Sequence, residues 1–310
     1  MTTLSGKEFN EQYPNIVFYK GLTHNYQHYD FLYQHGLNVD HNTFNPTESC
    51  MAGGLYFTEL DKLSMWIFWD IIYIAKVTIP LDASVYIEKD SFKADKFILD
   101  LDNKVLVKDF YIWSDNTLCK LAIQRNSQLL CFVKDQTDEI CKLAVQKNGC
   151  ALQFVNKQTD EICELAVQTN GYALKYVNIQ TDDICKLAVQ KNGAALEYVK
   201  NQTPEICKLA IKQNVYALYY VKDKTPEIFK IAFGKDGQTS LALRSIWDEQ
   251  TNEICELAVQ CDGRALRYVR IQTPEICKFA IQQNILALQF VRVQTPEICE
   301  LAMRLNTICV

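Results

Sequence analysis

The chain has 310 residues, of which 48% are hydrophobic and 22% are charged, with a formal net charge of −5. This composition argues against long disordered segments, and the length predicts two regions rather than one compact core. The acidic excess lies in residues 1–108, with 9 Lys and no Arg against 14 Asp and Glu, whereas residues 109–310 hold 23 basic and 23 acidic side chains. That balance disfavours a nucleic-acid partner, because non-specific binding needs a positive field.

The chain contains no segment that predicts secretion or membrane insertion. Met1–Lys7 has no apolar signal-peptide region. The longest apolar run, Met65–Ala75, is interrupted by Asp70 and is far shorter than the roughly 20 residues that span a bilayer. We therefore expect an intracellular protein that is not secreted and has no membrane partner.

Residues 1–108 are predicted to form a small α+β domain. The run Asp61–Ala75 favours a helix, although its aromatic and β-branched residues leave a strand possible. Gly53 and Gly54 admit unusual backbone angles just before a β-prone run, so residues 50–58 read as a turn entering a strand. Apolar, β-prone runs predict further strands at residues 16–21, 76–80, 83–87, 97–100 and 104–107.

The histidines of this region raise the question of a metal site. All four lie between residues 24 and 41: His24, His28, His35 and His41. On a helix, His24 and His28 would share one face, and Asp40 and Cys50 could complete a ligand set. Loop chemistry at residues 36–46 argues against that helix. We predict neither a metal site nor a cofactor.

Several short motifs of the first region resemble a known amino-terminal segment. They are Tyr33–Asp40, Phe44–Pro46, Cys50, Gly53–Thr58 and Lys93–Lys96. These motifs are similar to the segment that precedes helical or ankyrin repeats in many proteins of mimivirus-type giant DNA viruses. The resemblance covers about a third of the chain, and it implies no activity because the function of that segment is unknown.

A second resemblance concerns an enzyme fold. Gly53–Phe57 is similar to the Gly-rich turn and Tyr-Phe strand of ADP-ribosyltransferase folds, and Tyr19-Lys20-Gly21 resembles their early Tyr-Arg-Gly motif. The chain departs from that motif at Lys20, and Glu88 is a candidate for the acidic catalytic residue. This resemblance implies an alternative function, an ADP-ribosyltransferase-like activity of residues 1–108.

Residues 109–310 contain nearly identical segments at a fixed spacing. The motif threonines are 22 residues apart, except for one longer interval: Thr137, Thr159, Thr181, Thr203, Thr225, Thr251, Thr273 and Thr295. Such a period is the signature of a solenoid. The sequence therefore predicts an all-α solenoid of about eight helix-turn-helix repeats of 22 residues. The repeats resemble short helical repeats of unknown function that giant-virus genomes encode in many copies, which implies a fold and not an activity.

Each repeat carries helix-boundary signals. Threonine followed by Asp or Pro and an acidic residue predicts a capped helix start. The pair Asn-Gly, as at Asn170-Gly171, predicts a helix end in the left-handed conformation, and a second short helix follows. Recurrent helical glutamines are expected to form a ladder between repeats rather than to line a groove: Gln146, Gln168, Gln190, Gln260 and Gln282.

One motif position holds cysteine in eight repeats. These residues are Cys119, Cys141, Cys163, Cys185, Cys207, Cys255, Cys277 and Cys299, and Phe229 replaces them in the irregular repeat. A single cysteine per repeat has no metal-site spacing, and phenylalanine in its place indicates an apolar slot. We predict small buried side chains in a reducing compartment.

Positions outside the repeat consensus are the candidates for function. Residues 224–250 form a repeat that is four residues longer, with Gly234, Gly237, Thr239 and Ser240 in an altered loop. This segment is either a tolerated insertion or a bulge that shapes a binding surface. The first and last units also differ from the consensus, since the chain ends one helix into a ninth unit at Val310, and they are predicted to act as caps.

Two rows of variable residues are predicted to face solvent. One row contains Lys175, Glu197, Tyr219 and Arg267, and the other contains Lys200, Lys222, Arg270 and Arg292. With Arg264, the second row forms either an ordinary solvated face or an anion-binding stripe. No complete catalytic set is present in the sequence, so we predict a non-enzymatic scaffold or adaptor of a giant virus. It would bind an unknown host or viral protein through these residues, in the host cytoplasm or the virion.

Overall fold

The computed structural model describes residues 3–28, 30–47, 52–67, 70–234 and 238–308. They fall into two compact units, Met1–Ala144 and Val145–Val310, so the first repeat lies in the first unit. The domain boundary at residues 108 and 109, which marks the onset of the repeats, stays a prediction. The predicted fold class is confirmed: a sheet-rich region precedes a run of helical repeats about 22 residues apart.

The first unit is built on an antiparallel sheet. Its described strands follow the order β1-β8-β9-β6-β2-β7-β10-β5, and β3 pairs separately with β4. The strands are β1 (Thr3–Ser5), β2 (Phe18–Leu22), β3 (Gln27–His28), β4 (Phe31–Leu32), β5 (Gly36–Val39), β6 (Leu55–Glu59), β7 (Tyr73–Thr78), β8 (Ser84–Ile87), β9 (Phe92–Ala94) and β10 (Lys96–Leu106).

A cluster of aromatic rings fixes the first helix on this sheet. Helix α1 (Gly6–Gln12) starts with a capping box formed by Ser5 and Glu8. From α1, the fully buried Phe9 contacts the rings of Phe18, Phe57 and Phe92 at centroid distances of 5.1, 6.0 and 5.3 Å. Tilted and edge-to-face contacts of this kind add to the burial energy of the rings.

The sheet opens between its two central strands. Strand β2 pairs with β6 only at Phe18–Glu59 and Tyr19–Thr58. Beyond that point β2 continues along β7, while β6 continues along β9. Residues 20–22 and 55–57 therefore border a gap instead of a ladder.

The predicted strands are confirmed with shifted limits, and the predicted helix is mostly wrong. Residues 97–100 and 104–107 belong largely to one strand, β10, whose register shifts between Asp100 and Val105. Of the described residues in the helix predicted for residues 61–75, only those of helix α2 (Leu60–Leu63) and a 3₁₀ helix (Ser64–Trp66) are helical. Residues 73–75 instead pair with β2, because their aromatic and β-branched side chains suit the sheet and tertiary pairing overrides local periodicity.

Each regular repeat consists of an α-helix followed by a 3₁₀ helix. The α-helices are α3 (Asn116–Arg125), α4 (Asp138–Lys147), α5 (Asp160–Thr169), α6 (Asp182–Lys191), α7 (Pro204–Gln213), α8 (Pro226–Phe233), α9 (Thr239–Ser245), α10 (Asn252–Cys261), α11 (Pro274–Gln283) and α12 (Pro296–Ile308). The six-residue 3₁₀ helices are Ser127–Phe132, Gly149–Phe154, Gly171–Tyr176, Gly193–Tyr198, Val215–Tyr220, Gly263–Tyr268 and Ile285–Phe290. The second helix of the predicted pair is thus 3₁₀ rather than α.

The predicted helix starts and the apolar cysteine slot are confirmed. In α5, the Thr159 side chain accepts a hydrogen bond from the backbone N–H of Ile162, and other motif threonines do the same. Cys163 and Cys185 are buried, and burial raises the pKa of both thiols to about 11. They remain protonated at neutral pH, so they are not nucleophiles.

The role predicted for the Asn-Gly pair is wrong. Asn170 is extended, with φ −148°, and its side chain caps the 3₁₀ helix by accepting a hydrogen bond from Tyr172 N–H. Gly171 has no positive φ. Glycine is needed because a Cβ at this position would lie 2.4 Å from the backbone oxygen of Ala188 in the next repeat.

The predicted glutamine ladder involves different glutamines. The helical residues Gln146, Gln168, Gln190, Gln260 and Gln282 are exposed. The connection is made by the loop glutamine before each helix, for example Gln180. Its Nε2 donates to the Tyr198 carbonyl at 2.9 Å, and its Oε1 accepts from Lys200 N–H at 2.9 Å.

The irregular repeat has an α-helix, α9, in place of the six-residue 3₁₀ helix, and a three-residue 3₁₀ helix (Trp247–Glu249) follows it. Helix α9 contains Thr239 and Ser240, so the prediction of a loop at these two residues is wrong. The buried Thr239 hydroxyl donates to the Phe233 carbonyl at 2.6 Å, which holds the start of α9 to the end of α8. Gly234 ends α8, and Gly237 lies outside the described residues, as does Val310.

Replacement of Gln180 by leucine is expected to destabilise the array. The Tyr198 carbonyl and the Lys200 N–H lose a hydrogen-bond partner, which costs about 2 kcal/mol. Urea unfolding followed by circular dichroism measures this loss. The control Gln190→Leu changes an exposed glutamine of the same repeat and should stay within about 0.5 kcal/mol of wild type. Equal losses in both variants would contradict the assigned role.

Replacement of Gly171 by alanine is expected to destabilise the array by about 1–3 kcal/mol, because the new methyl group overpacks the boundary between repeats. Alanine at an unstrained glycine would instead stabilise by about 0.4–1 kcal/mol. The variant Gly171→Asn separates the two explanations. Asparagine tolerates a left-handed backbone but carries the same Cβ, so a stability loss as large as that of alanine is expected. Wild-type stability of this variant in thermal unfolding would rule out the clash.

Candidate interaction surface

The first row of variable residues lies on the exposed side of the 3₁₀ helices. Lys175, Glu197, Tyr219 and Arg267 each occupy the fifth residue of a 3₁₀ helix and are exposed. Lys175 lies over the ring of Tyr176 at 5.8 Å, and Arg267 lies over the ring of Tyr268 at 5.6 Å. These positions therefore place cationic and aromatic groups side by side at the surface.

The second row of variable residues connects consecutive repeats. The side chain of Lys200 donates to the Asn178 carbonyl, and that of Lys222 donates to the Lys200 carbonyl, each at 3.1 Å. Arg292 donates to the carbonyl of Arg270 at 2.7 Å. These side chains form a row of positive charge. Some of their N–H groups already donate hydrogen bonds to backbone carbonyls of the preceding repeat.

Arg264 lies elsewhere on its repeat. It is the second residue of the 3₁₀ helix Gly263–Tyr268, and its backbone N–H donates to Asp262. Exposed residues at the same position in other repeats are Tyr172, Tyr216 and Leu286. Arg264 was among the predicted surface residues, whereas Tyr172, Tyr216 and Leu286 at this third variable position were not. A 3₁₀ helix has about three residues per turn, so its second and fifth residues share one face.

Tyrosines of three consecutive repeats form a surface cluster. The tyrosine cluster consists of Tyr172, Tyr198, Tyr216, Tyr219 and Tyr220. The rings of Tyr172 and Tyr198 meet edge to face at 6.4 Å, and those of Tyr219 and Tyr220 do so at 5.2 Å. Burial and the neighbouring Glu197 raise the pKa of Tyr198 and Tyr220. The exposed fractions of Tyr172, Tyr216 and Tyr219 are 41%, 46% and 60%.

The gap in the sheet of the first unit forms a cavity of about 540 Å³. Both motifs that resemble ADP-ribosyltransferases line it, with Tyr19, Lys20 and Gly21 on one side and Gly53 and Gly54 on the other. The two glycines have φ values of 94° and 143°, so the backbone here depends on glycine. Sequence motifs far apart in the chain therefore border one cavity.

Glu88, the candidate catalytic acid, is not among the described residues that line this cavity. It lies beyond β8, where its side chain accepts a hydrogen bond from Ser91 at 2.7 Å. The cavity therefore lacks Glu88, the acid proposed for ADP-ribosyl transfer, and this placement does not support the enzyme alternative.

The histidines of the first unit do not assemble a metal site. His24 lies in a turn and His28 on β3, so the two do not share a helix. His35 lies 3.6 Å from Asp102, and the His41 ring stacks on Phe31 at 5.2 Å. Within the described ranges, no three His, Cys, Asp or Glu side chains could hold a metal ion together. Cys50 lies outside those ranges.

A comparison with protein families matches part of the repeats. The family described as Domain of unknown function (DUF4116) matches residues 137–180 and 181–225, and each match spans two 22-residue units. None of the described helices is both long and apolar enough to cross a membrane. No solved structure matches the chain.

Two curated relatives from Acanthamoeba polyphaga mimivirus, both named as ankyrin repeat proteins, are similar over short stretches. One is 43% identical over 56 residues, which are 18% of this chain and 18% of the relative. The other is 31% identical over 81 residues, which are 26% of this chain and 40% of the relative. The chain thus spans less than half the length of these relatives. An ankyrin unit has about 33 residues, so the name does not describe the 22-residue units here. Together, the family match and the two relatives are consistent with a repeat protein of the type found in giant viruses.

Proposed function

We propose that the repeats form a non-enzymatic scaffold or adaptor that binds another protein through the variable face of their 3₁₀ helices. The observation that carries this proposal is the tyrosine cluster, whose exposed rings lie on consecutive repeats. Tyrosine is enriched in protein interfaces and in their energetic hot spots. Solenoids commonly bind partners along an extended surface of this type.

The charged neighbours of the tyrosine cluster suggest how a partner is selected. Lys175 and Glu197 lie in the same row as Tyr219, so the aromatic surface carries one positive and one negative group. Arg264, Arg267, Arg270 and Arg292 add positive charge farther along the chain. Mixed charges around an aromatic centre favour a protein with complementary charges. A nucleic acid would instead need a broad positive surface.

The relatives suggest the cellular setting of this interaction. They are viral proteins, and we propose a host or viral partner in the host cytoplasm or the virion. Residues 1–108 would then serve as an accessory domain of the kind that precedes repeats in such proteins. The ADP-ribosyltransferase-like alternative is less well supported, because Glu88 does not line the cavity.

Loss of two exposed tyrosines is expected to weaken partner capture. The full-length chain and its Tyr216→Ala/Tyr219→Ala variant are incubated with extract of infected host cells, and bound proteins are quantified by mass spectrometry. A specific partner should fall by roughly tenfold or more, because truncating hot-spot residues costs about 2 kcal/mol or more. Circular dichroism checks that the variant is folded.

The matched control changes two exposed residues of the α-helices in the same region, Lys208→Ala and Lys230→Ala. This variant should capture the partner as well as wild type does. The proposal is wrong if wild type captures no protein specifically, or if the tyrosine variant and the lysine variant lose the partner equally.

A further inference from the structure

The cavity in the first unit is a separate candidate for function. It lies where β2 and β6 stop pairing after Tyr19–Thr58, and its volume of about 540 Å³ lies within the roughly 300–1,000 Å³ typical of small-molecule sites. The gap does not arise from a missing side chain in a packed core. It follows from the divergence of two strands that each pair with another neighbour.

A buried lysine is the main polar group of this cavity. Lys20 lines it and is only 8% exposed, and its ammonium lies 4.9 Å from the centre of the Tyr33 ring. Among the described residues, the structure gives this ammonium no hydrogen-bond acceptor and no carboxylate partner. Removing a charge from water is costly unless an opposite charge or an acceptor replaces the water. An anionic ligand would supply that partner.

The walls around Lys20 are largely aromatic. Tyr56 stacks on Trp66 at 6.1 Å, and Phe31 packs against Tyr33 at 4.8 Å. All four rings line the cavity. Flat, apolar walls of this kind favour an aromatic group in the ligand, because rings gain from stacked and edge-to-face contacts in addition to area burial.

A second buried polar group lines the cavity. Thr58 is 2% exposed, and its Oγ1 has no hydrogen-bond partner in the described structure. A buried hydroxyl without a partner is costly, and a ligand is one way to satisfy it.

Two acidic residues also line the cavity. Asp40 accepts hydrogen bonds from Gly54 N–H and from Asn42, which engages its carboxylate. Asp30 is exposed, so water screens its charge. The buried part of the cavity therefore keeps the positive character of Lys20.

We propose that this cavity binds a small aromatic compound carrying an anionic group, with the anion on the Lys20 ammonium and the ring system between the aromatic walls. The site is distinct from the repeat surface, and it can be tested without a partner protein.

A matched pair of fluorescent probes tests the proposal on the full-length chain. 8-Anilinonaphthalene-1-sulfonate carries a sulfonate, and N-phenyl-1-naphthylamine has the same rings without it. Titration of each probe gives its affinity for wild type and for Lys20→Met. The variant should lower the ratio of sulfonate affinity to neutral-probe affinity by roughly tenfold or more, the size expected for one hydrogen-bonded charge. Retained binding of the neutral probe shows that the cavity is intact.

The control Lys89→Met removes the same charge at an exposed residue that does not line the cavity. It should leave the affinity ratio unchanged. Thr58→Val should weaken binding of the sulfonate by a few-fold. The proposal is overturned if neither probe binds wild type, if Lys20→Met leaves the ratio unchanged, or if Lys89→Met lowers it as much as Lys20→Met does.

Discussion

In most repeats, one side-chain amide satisfies the backbone where two repeats meet. Gln180 accepts the N–H of Lys200 and donates to the carbonyls of Leu174 and Tyr198, so it contacts the 3₁₀ helices of both repeats. Cys185 donates its thiol to the same amide oxygen at 3.7 Å. A short 3₁₀ helix is marginal alone, and this amide fixes its end. The recurring cysteine therefore supports the glutamine as well as filling an apolar slot.

The irregular repeat has a different side chain in place of this amide. Lys224 occupies the glutamine position there, and its ammonium donates to the Val221 carbonyl at 2.8 Å and pairs with Glu249 at 3.0 Å. A lysine can donate but cannot accept, so it cannot bind a backbone N–H as well. In this repeat α9 stands in place of the six-residue 3₁₀ helix and forms its own backbone hydrogen bonds, whereas the first repeat has Ser114 at the glutamine position and keeps the 3₁₀ helix Ser127–Phe132.

Local sequence signals were sufficient to predict the repeat. The contacts between repeats and the gap in the sheet depend on long-range interactions and were not predicted. The Thr159 cap and the burial of Cys163 depend on neighbours a few residues away, so sequence spacing was sufficient. Gln168 and Gln180 each belong to a glutamine position that recurs along the array, and only the folded structure shows that the second one contacts the neighbouring 3₁₀ helices. The exposed position of Tyr172 and Tyr216 was missed for the same reason. In the first unit, the gap follows from strand pairing that stops after Tyr19–Thr58, a limit that no local pattern encodes.

A glycine at the start of most six-residue 3₁₀ helices lies against the backbone of the following repeat. The residue allowed at this position therefore depends on the repeat that follows. Gly149, Gly171, Gly193 and Gly263 would all clash with the next repeat if they carried a Cβ. Three repeats have another residue at the glycine position. Val215 precedes the irregular repeat, Ile285 precedes helix α12, and Ser127 precedes a regular repeat. The repeats are therefore not interchangeable. Repeats that carry glycine share the same close contact with the repeat that follows, whereas Val215 precedes a repeat of different structure.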